Sequence, residues 1–271
     1  MELAGKVALI TGGTRGIGLA IAERLADLGA DLILAYKKDH ERAQAAGELM
    51  EKKGRRVQLI ASDLRKPAGV DALFEEVRAG LDQIDILVLN AAFGTMGEVL
   101  RMGRASWRAS YDTNVLSPML TAQAALPWLK RKGGVITATS TLGAHTAYPT
   151  YVAIGSSKAA METLVKYMAF EWARYGIRAN SVAAGPVETR AIDWFRYPEA
   201  VRIFTAKKGL AGRMGLPGDI AEVAAWLCTD ASRWIYAQSI IAEGGILAGV
   251  DYDEWMEENV DQDEFSPKAS S

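Results

Sequence analysis

Short runs of mostly apolar residues alternate with longer stretches whose apolar positions recur at helical spacing. Lys6 to Thr11, Asp31 to Tyr36, Val57 to Ala61, Ile84 to Leu89, Val135 to Thr139 and Ile177 to Ala183 read as strands, with Tyr236 to Ala242 as a final one. Ile17 to Leu28 and His40 to Lys53 read as helices, and Gly29 and Gly54 mark their ends. Strand and helix in strict alternation predict parallel strands joined by crossover helices, an α/β fold with one doubly wound, mostly parallel sheet covered on both faces. No internal repeat and no Pro- or Ser-rich linker divides the chain, so residues 1–250 are expected to form a single domain.

Composition narrows the class. Of 271 residues, 49% are hydrophobic and 24% charged, the balance of a globular protein with a large core. Cys228 is the only cysteine, which excludes an intrachain disulfide and a thiolate metal cluster and fits a reducing, cytoplasmic setting. It lies in the apolar run from Ile220 and reads as a small buried hydrophobe. No export leader and no membrane-length apolar segment are apparent, so neither secretion nor membrane association is expected. The formal charge is −2, but eight acidic residues crowd positions 251–271 against Lys268 alone, which reads as a solvated acidic tail. The remainder is only mildly basic, without the strongly basic face that nucleic acid requires.

The first chemistry appears between the first strand and first helix, at Thr11-Gly12-Gly13-Thr14-Arg15-Gly16-Ile17-Gly18. Glycines there allow a sharp turn, bring a pyrophosphate against main-chain N–H groups at the helix start, and let helix pack close to strand. The spacing TGxxxGxG, rather than GxGxxG, resembles the short-chain dehydrogenase/reductase family, and the likeness spans about residues 3 to 249. That resemblance implies a Rossmann-like fold and a nicotinamide dinucleotide. It also assigns roles by position. Asp63, with Leu64 beside it, matches the aspartate that meets the adenine ring, and Asn90-Ala91-Ala92-Phe93-Gly94 matches the NNAG turn. Asn114 matches a helix asparagine near the active site. Val187 and Thr189, in Ala184-Gly185-Pro186-Val187-Glu188-Thr189, match the residues that meet the nicotinamide amide and the phosphate, although the usual leading proline is absent.

An NAD-preferring site places an acid at the end of the second strand for the ribose 2′-hydroxyl. This chain reads Ala35-Tyr36-Lys37-Lys38 instead. Arg15 in the glycine turn, with Lys37 or Lys38 after the strand, suits a 2′-phosphate, so NADPH is the expected cofactor.

Most members of that family carry YxxxK, a tyrosine that polarises a carbonyl and a lysine that grips the ribose and lowers the phenol pKa. The matching window here is Ile154-Gly155-Ser156-Ser157-Lys158, with isoleucine in the tyrosine position. Tyr151 lies seven residues before Lys158, close to two helical turns, so both side chains are expected on one helix face. The arrangement Leu142-Gly143-Ala144, Pro149-Thr150-Tyr151, Gly155 and Lys158-Ala159 is similar to the enoyl-acyl-carrier-protein reductases, in the branch that keeps the ordinary glycine turn. Two positions depart from a simple transfer. Thr141 stands where many enoyl reductases have a second tyrosine, and Ser140 matches the serine with which carbonyl-reducing relatives orient substrate oxygen.

Hydride addition to C3 of an α,β-unsaturated thioester places charge on a thioester oxygen about two atoms beyond C3, whereas a ketone develops it on the attacked carbon's own oxygen. A phenol moved along its helix suits the more distant oxygen. The expected assignment is therefore Tyr151 on the enolate oxygen and Lys158 on the ribose. Asn114 either holds a water in a proton relay or satisfies backbone groups, and His145 reads as a hydrogen-bonded loop histidine. The segment from Ala191 to Lys208 often covers substrate in this family. It carries Trp194, Phe195, Tyr197 and Phe204, suited to an acyl chain, and Arg196, Arg202, Lys207 and Lys208, suited to an acidic carrier protein or to coenzyme A phosphates. The family resemblance also implies a homo-oligomer, a tetramer. Three functions follow: reduction of an enoyl thioester on acyl carrier protein or coenzyme A, reduction of a 3-ketoacyl or other carbonyl, and, because of Ile154, a non-catalytic NADPH sensor or scaffold.

Overall fold

All five residues of β1 (Val7–Thr11) are buried, because the strand lies inside the sheet with helices on either side. The computed structural model describes residues 1–249; the acidic tail expected at 251–271 lies outside the described residues. Six further strands join β1: β2 (Asp31–Tyr36), β3 (Val57–Ala61), β4 (Ile86–Leu89), β5 (Val135–Thr141), β6 (Arg178–Ala184) and β7 (Ser239–Ala242). They pair in the order β3-β2-β1-β4-β5-β6-β7, every pair parallel. A single α/β sheet domain results, as the alternation of apolar runs predicts.

Alternation within a strand sorts side chains between two cores. Val7 and Leu9 of β1 face a cluster with α3 (Pro67–Ala79), α5 (Ser117–Leu129) and α6 (Val152–Trp172), which supply Leu73, Phe74, Trp128 and Met161 among others. Ala8 and Ile10 face the opposite cluster, with Ile21 and Leu25 of α1 (Gly16–Asp27), Met50 of α2 (His40–Lys52) and Ile220 and Ala224 of α8 (Pro217–Leu227). Cys228 closes that second cluster, its thiol pKa pushed up to about 11 by burial, in keeping with a packing role.

Strand ends differ from the sequence expectation where local bonding intervenes. β7 starts at Ser239 rather than Tyr236: Ala237 takes φ +57°, and the Gln238 N–H bonds to the Asn180 side-chain Oδ1 of β6 at 3.0 Å instead of to a β6 backbone carbonyl. β5 runs on to Thr141, two residues past its expected end, because Ser140 and Thr141 pair with Ala183 and Ala184. That extension carries both hydroxyls to the carboxyl edge of the sheet. The order of strands reverses between β1 and β4, and a doubly wound sheet binds its ligand in the crevice at the carboxyl ends beside such a reversal. Among the described residues, no helix is long and apolar enough to cross a membrane, and no cluster of His, Cys, Asp and Glu is grouped to hold a metal.

Candidate active site

The glycine turn leaves β1 at this crevice. Gly12 and Gly16 have φ of +66° and +54°, a region that L side chains rarely adopt. A Cβ on Gly18 would overlap the Gly12 carbonyl oxygen, so only glycine allows α1 to start this close to β1. Asn90, at the end of β4, pins the turn by donating its amide to the carbonyls of Thr11 (3.0 Å) and Gly12 (3.1 Å). Its side chain thus holds the cradle. Thr14 is buried, Arg15 is exposed and Ile17 packs against the α1 core. The first turn of α1 contains no acid and no side-chain cap, which leaves its N–H groups and positive dipole end to an anion. Thr189, far away in sequence, places its methyl 3.7 Å from where a Gly16 Cβ would be, and Val187 is buried just before it. This donor set fits a dinucleotide pyrophosphate.

At the far end of the crevice the charges are less free than the sequence suggests. Arg65 grips Asp63 with both prongs, at 2.8 and 2.6 Å, and Lys37 lies 3.5 Å from the same carboxylate. The Arg65 hydrogen bond holds the Asp63 carboxyl far below the usual range. Lys38 is exposed with no ion-pair partner among the described residues, and Leu64 is buried in the core. Of the two lysines, Lys38 is therefore the less engaged, with Arg15 on the other side of the cradle.

The second half of the site is built around α6. Tyr151 is not in the helix, as the two-turn argument assumes, but is the residue that caps it, with φ −100° and ψ 8°. The preceding Thr150 takes φ +62°, a costly conformation for a β-branched residue, and its carbonyl accepts the Gly97 N–H at 2.7 Å. The phenol ring then lies on Gly143, where a Cβ would stand 2.7 Å from two ring carbons. Phe195 stacks on it with centroids 5.7 Å apart and an interplanar angle of 20°. Burial raises the Tyr151 phenol pKa and a hydrogen bond from Thr141 opposes the rise. Thr141 therefore stands beside the phenol at the position where many enoyl reductases carry a tyrosine. The glycines of the LGA and YxxxG patterns exist to seat this ring and to let α6 approach Gly143.

Lys158 is only 5% exposed, and its Nζ donates to the Thr139 carbonyl at 2.6 Å, one of the three donors an ammonium offers. Burial lowers its pKa to about 8, against the pull of Glu162. Ile154 presses its side chain onto Gly94, so an aliphatic group fills the space beside the β4 turn. Asn114 sits in a π-turn (Asp112–Leu116) between α4 (Arg104–Tyr111) and α5, fully buried. Its Oδ1 accepts the Phe93 N–H at 3.0 Å, and its Nδ2 donates to the Phe93 carbonyl at 2.8 Å and to Ser157 Oγ at 2.9 Å. Both ends of the amide are engaged. Of the two roles expected for Asn114, the satisfaction of backbone groups is the one its side chain performs.

Ser140 Oγ is hydrogen-bonded to Glu162, a buried carboxylate that sequence reading passes over because it is simply one more polar helix residue until β5 is packed beneath it. His145 Nε2 lies 3.1 Å from the same group. The 191–208 segment forms a short 3-10 turn (Ile192–Trp194) and α7 (Pro198–Lys208), and Phe195 between them delivers the ring contact to Tyr151. Arg202 is a correction to the expected set of cations: it is held by Glu188 at 2.6 Å and by Asp193 and Glu199 at 3.5 Å. Arg196 lies over its neighbour Tyr197.

Comparison with known proteins matches this geometry. Residues 12–247 match the sequence family described as enoyl-(acyl carrier protein) reductase. The chain is 35% identical to the 1-cyclohexenylcarbonyl-CoA reductase of Streptomyces collinus, over 89% of this chain and 86% of that protein. Among solved structures it resembles the angucycline C-6 ketoreductase LanV with bound NADP (TM-score 0.85, 32% identity, 92% of this chain and 98% of the other). It also resembles a 7α-hydroxysteroid dehydrogenase complexed with NADH and 7-oxo glycochenodeoxycholic acid (TM-score 0.85, 31% identity, 90% and 95%). A glycine cradle at the strand-order reversal, a buried lysine behind a capping tyrosine, and a family match across nearly the whole sheet lead to one conclusion: the chain belongs to the short-chain dehydrogenase/reductase family and is a nicotinamide-dependent oxidoreductase.

Proposed function

We propose that this oxidoreductase reduces the carbon-carbon double bond of an enoyl thioester, carried on acyl carrier protein or coenzyme A, and that it uses NADPH. The observation that carries the reading is the pairing of Ile154 with Tyr151. The side chain against the β4 turn is aliphatic, and the phenol stands at the mouth of α6, seated on Gly143 and stacked by Phe195. A donor displaced in this way matches an oxygen remote from the carbon that receives hydride. The named substrate of the Streptomyces relative is, by its chemistry, a thioester conjugated to a ring double bond. Arg15 and Lys38, without an acid at the end of β2, favour the 2′-phosphate.

A bound nicotinamide supplies the hydride. Tyr151 donates to the thioester oxygen as the enolate forms, Thr141 supports the phenolate character that this donation creates, and Lys158 offers its two remaining N–H groups to ribose hydroxyls while its charge favours the phenolate. A proton taken up from solvent at C2 completes the reduction, leaving the saturated thioester and the oxidised nicotinamide. Phe195 covers one face of the ring.

Carbonyl reduction is the second reading, supported by the retained Ser140 and by ketone-directed relatives such as LanV at similar identity. Purified protein given crotonyl and acetoacetyl thioesters in parallel, each with NADPH and NADH, tests both. The expected result is NADPH oxidation with the crotonyl thioester. Turnover confined to the acetoacetyl thioester rejects the enoyl assignment, and equal rates with NADH reject the cofactor preference.

The buried lysine adds a pH dependence. Its lowered pKa of about 8 means the ammonium is present below that pH and is lost as pH rises through it. Turnover is expected to fall by about tenfold per unit on the alkaline side, where only the protonated fraction acts. Lys158→Met should lack this limb in a kcat-pH profile; an unchanged alkaline limb in that variant assigns the titration elsewhere.

A further inference from the structure

Glu162 lies one helical turn beyond Lys158 on α6, and its side chain is 8% exposed. A buried carboxylate needs donors around it. Those present are the Ser140 hydroxyl, hydrogen-bonded to Oε1, and His145 Nε2, 3.2 Å from Oε1 and 3.1 Å from Oε2. The nearby ammonium of Lys158 directs a hydrogen bond to the Thr139 carbonyl instead. An ionised carboxylate only accepts, and a serine hydroxyl has a single proton to give. While Ser140 donates to Glu162, it has only lone pairs to offer a substrate oxygen. Thr141, the next residue, accepts the Gly143 N–H on its Oγ1 at 3.3 Å. With the Ser140 proton committed to Glu162, the Tyr151 phenol is left as the donor for a substrate oxygen.

We infer that Glu162 is a positioning residue that turns the Ser140 proton away from the substrate and so withholds the donor that a ketone oxygen next to the reacting carbon would use, biasing the site towards enoyl substrates. The inference rests on the enoyl reading above and adds the residue that sets its selectivity. It follows from proton count and direction rather than from any contact with substrate: an enolate stabilised by Tyr151 needs nothing from Ser140, whereas a ketone at the nearer position does.

The test is Glu162→Met, which keeps side-chain length and removes the strong acceptor. The ratio of acetoacetyl to crotonyl thioester kcat/KM is measured for wild type and variant, alone and in a Ser140→Ala background. Calorimetry on the protein with oxidised cofactor gives the acetoacetyl thioester affinity without turnover. The released hydroxyl is expected to raise both the ratio and the ketone affinity roughly five- to tenfold, the worth of one hydrogen bond. In the Ser140→Ala background the change at 162 is expected to be less than twofold. An unchanged ratio, or an equal shift without Ser140, overturns the inference. If Glu162→Met does not fold, Glu162→Leu takes its place, since it also offers Ser140 no acceptor; the ratio should move the same way, and a fixed ratio overturns the proposal there too. A wild-type protein that reduces only ketones defeats the enoyl reading whatever Glu162 does. A wild type active on crotonyl thioester with a ratio indifferent to residue 162 defeats this inference alone.

Discussion

Tyr151→Phe is expected to lower turnover of an enoyl thioester by about 10²–10³ while leaving the fold and cofactor affinity in place. The ring stays, so its seat on Gly143 and its stack with Phe195 survive, and only the hydroxyl is lost. The loss falls on kcat more than on KM, because the donor's bond strengthens as charge builds on the thioester oxygen. Thr141 cannot stand in. Its hydroxyl accepts the Gly143 N–H at 3.3 Å from a position fixed by the β5–β6 pairing. Steady-state kinetics beside cofactor titration by fluorescence decides the matter. Turnover within threefold of wild type in a folded, cofactor-binding variant removes Tyr151 from the chemistry.

The second large effect concerns the cradle. Gly18→Ala places a methyl group into the Gly12 carbonyl oxygen and the Asn90 amide nitrogen, the pair whose hydrogen bond closes the turn. Neither is the far end of a flexible chain: one is backbone, and the other is tied at 3.0 Å to Thr11 as well. The start of α1 must move outward, and overpacking of this kind costs about 1–3 kcal/mol of stability. Cofactor affinity is expected to fall by about tenfold to hundredfold, or about 1.4–2.8 kcal/mol, since the N–H groups that meet the pyrophosphate shift with the helix. Gly218→Ala is the control, at an exposed position early in α8 where an added Cβ meets nothing within 4 Å. Calorimetric titration and thermal unfolding of both variants should separate them; equal cofactor affinity in Gly18→Ala and wild type would falsify the close-approach argument.

Much of this molecule is legible along the chain because its signals are local. Strand and helix periods repeat within a few residues of each other, so β2 and β3 appear in the sheet with the bounds that the apolar runs suggest. The glycine turn is equally local: eight consecutive residues specify backbone conformations and a close approach that no other residue type permits. Even the displaced tyrosine can be seen from spacing alone, seven positions before Lys158, although only the structure shows that it caps the helix rather than lying in it.

Which polar groups of the site are free and which are committed was decided elsewhere, by contacts that no pattern along the chain announces. Glu162 becomes a partner of Ser140 only when α6 packs on β5, 22 residues away. Phe195 meets Tyr151 only when the segment before α7 folds back over the site. Arg202 is neutralised by three acids that surround it in space, and Asn114 is consumed by the Phe93 backbone and Ser157. A hydroxyl or a guanidinium has the same letter in the sequence whether its proton is free or spoken for. Which of the two holds depends on the acceptor that packing brings within 3 Å, and that is a property of the tertiary structure alone.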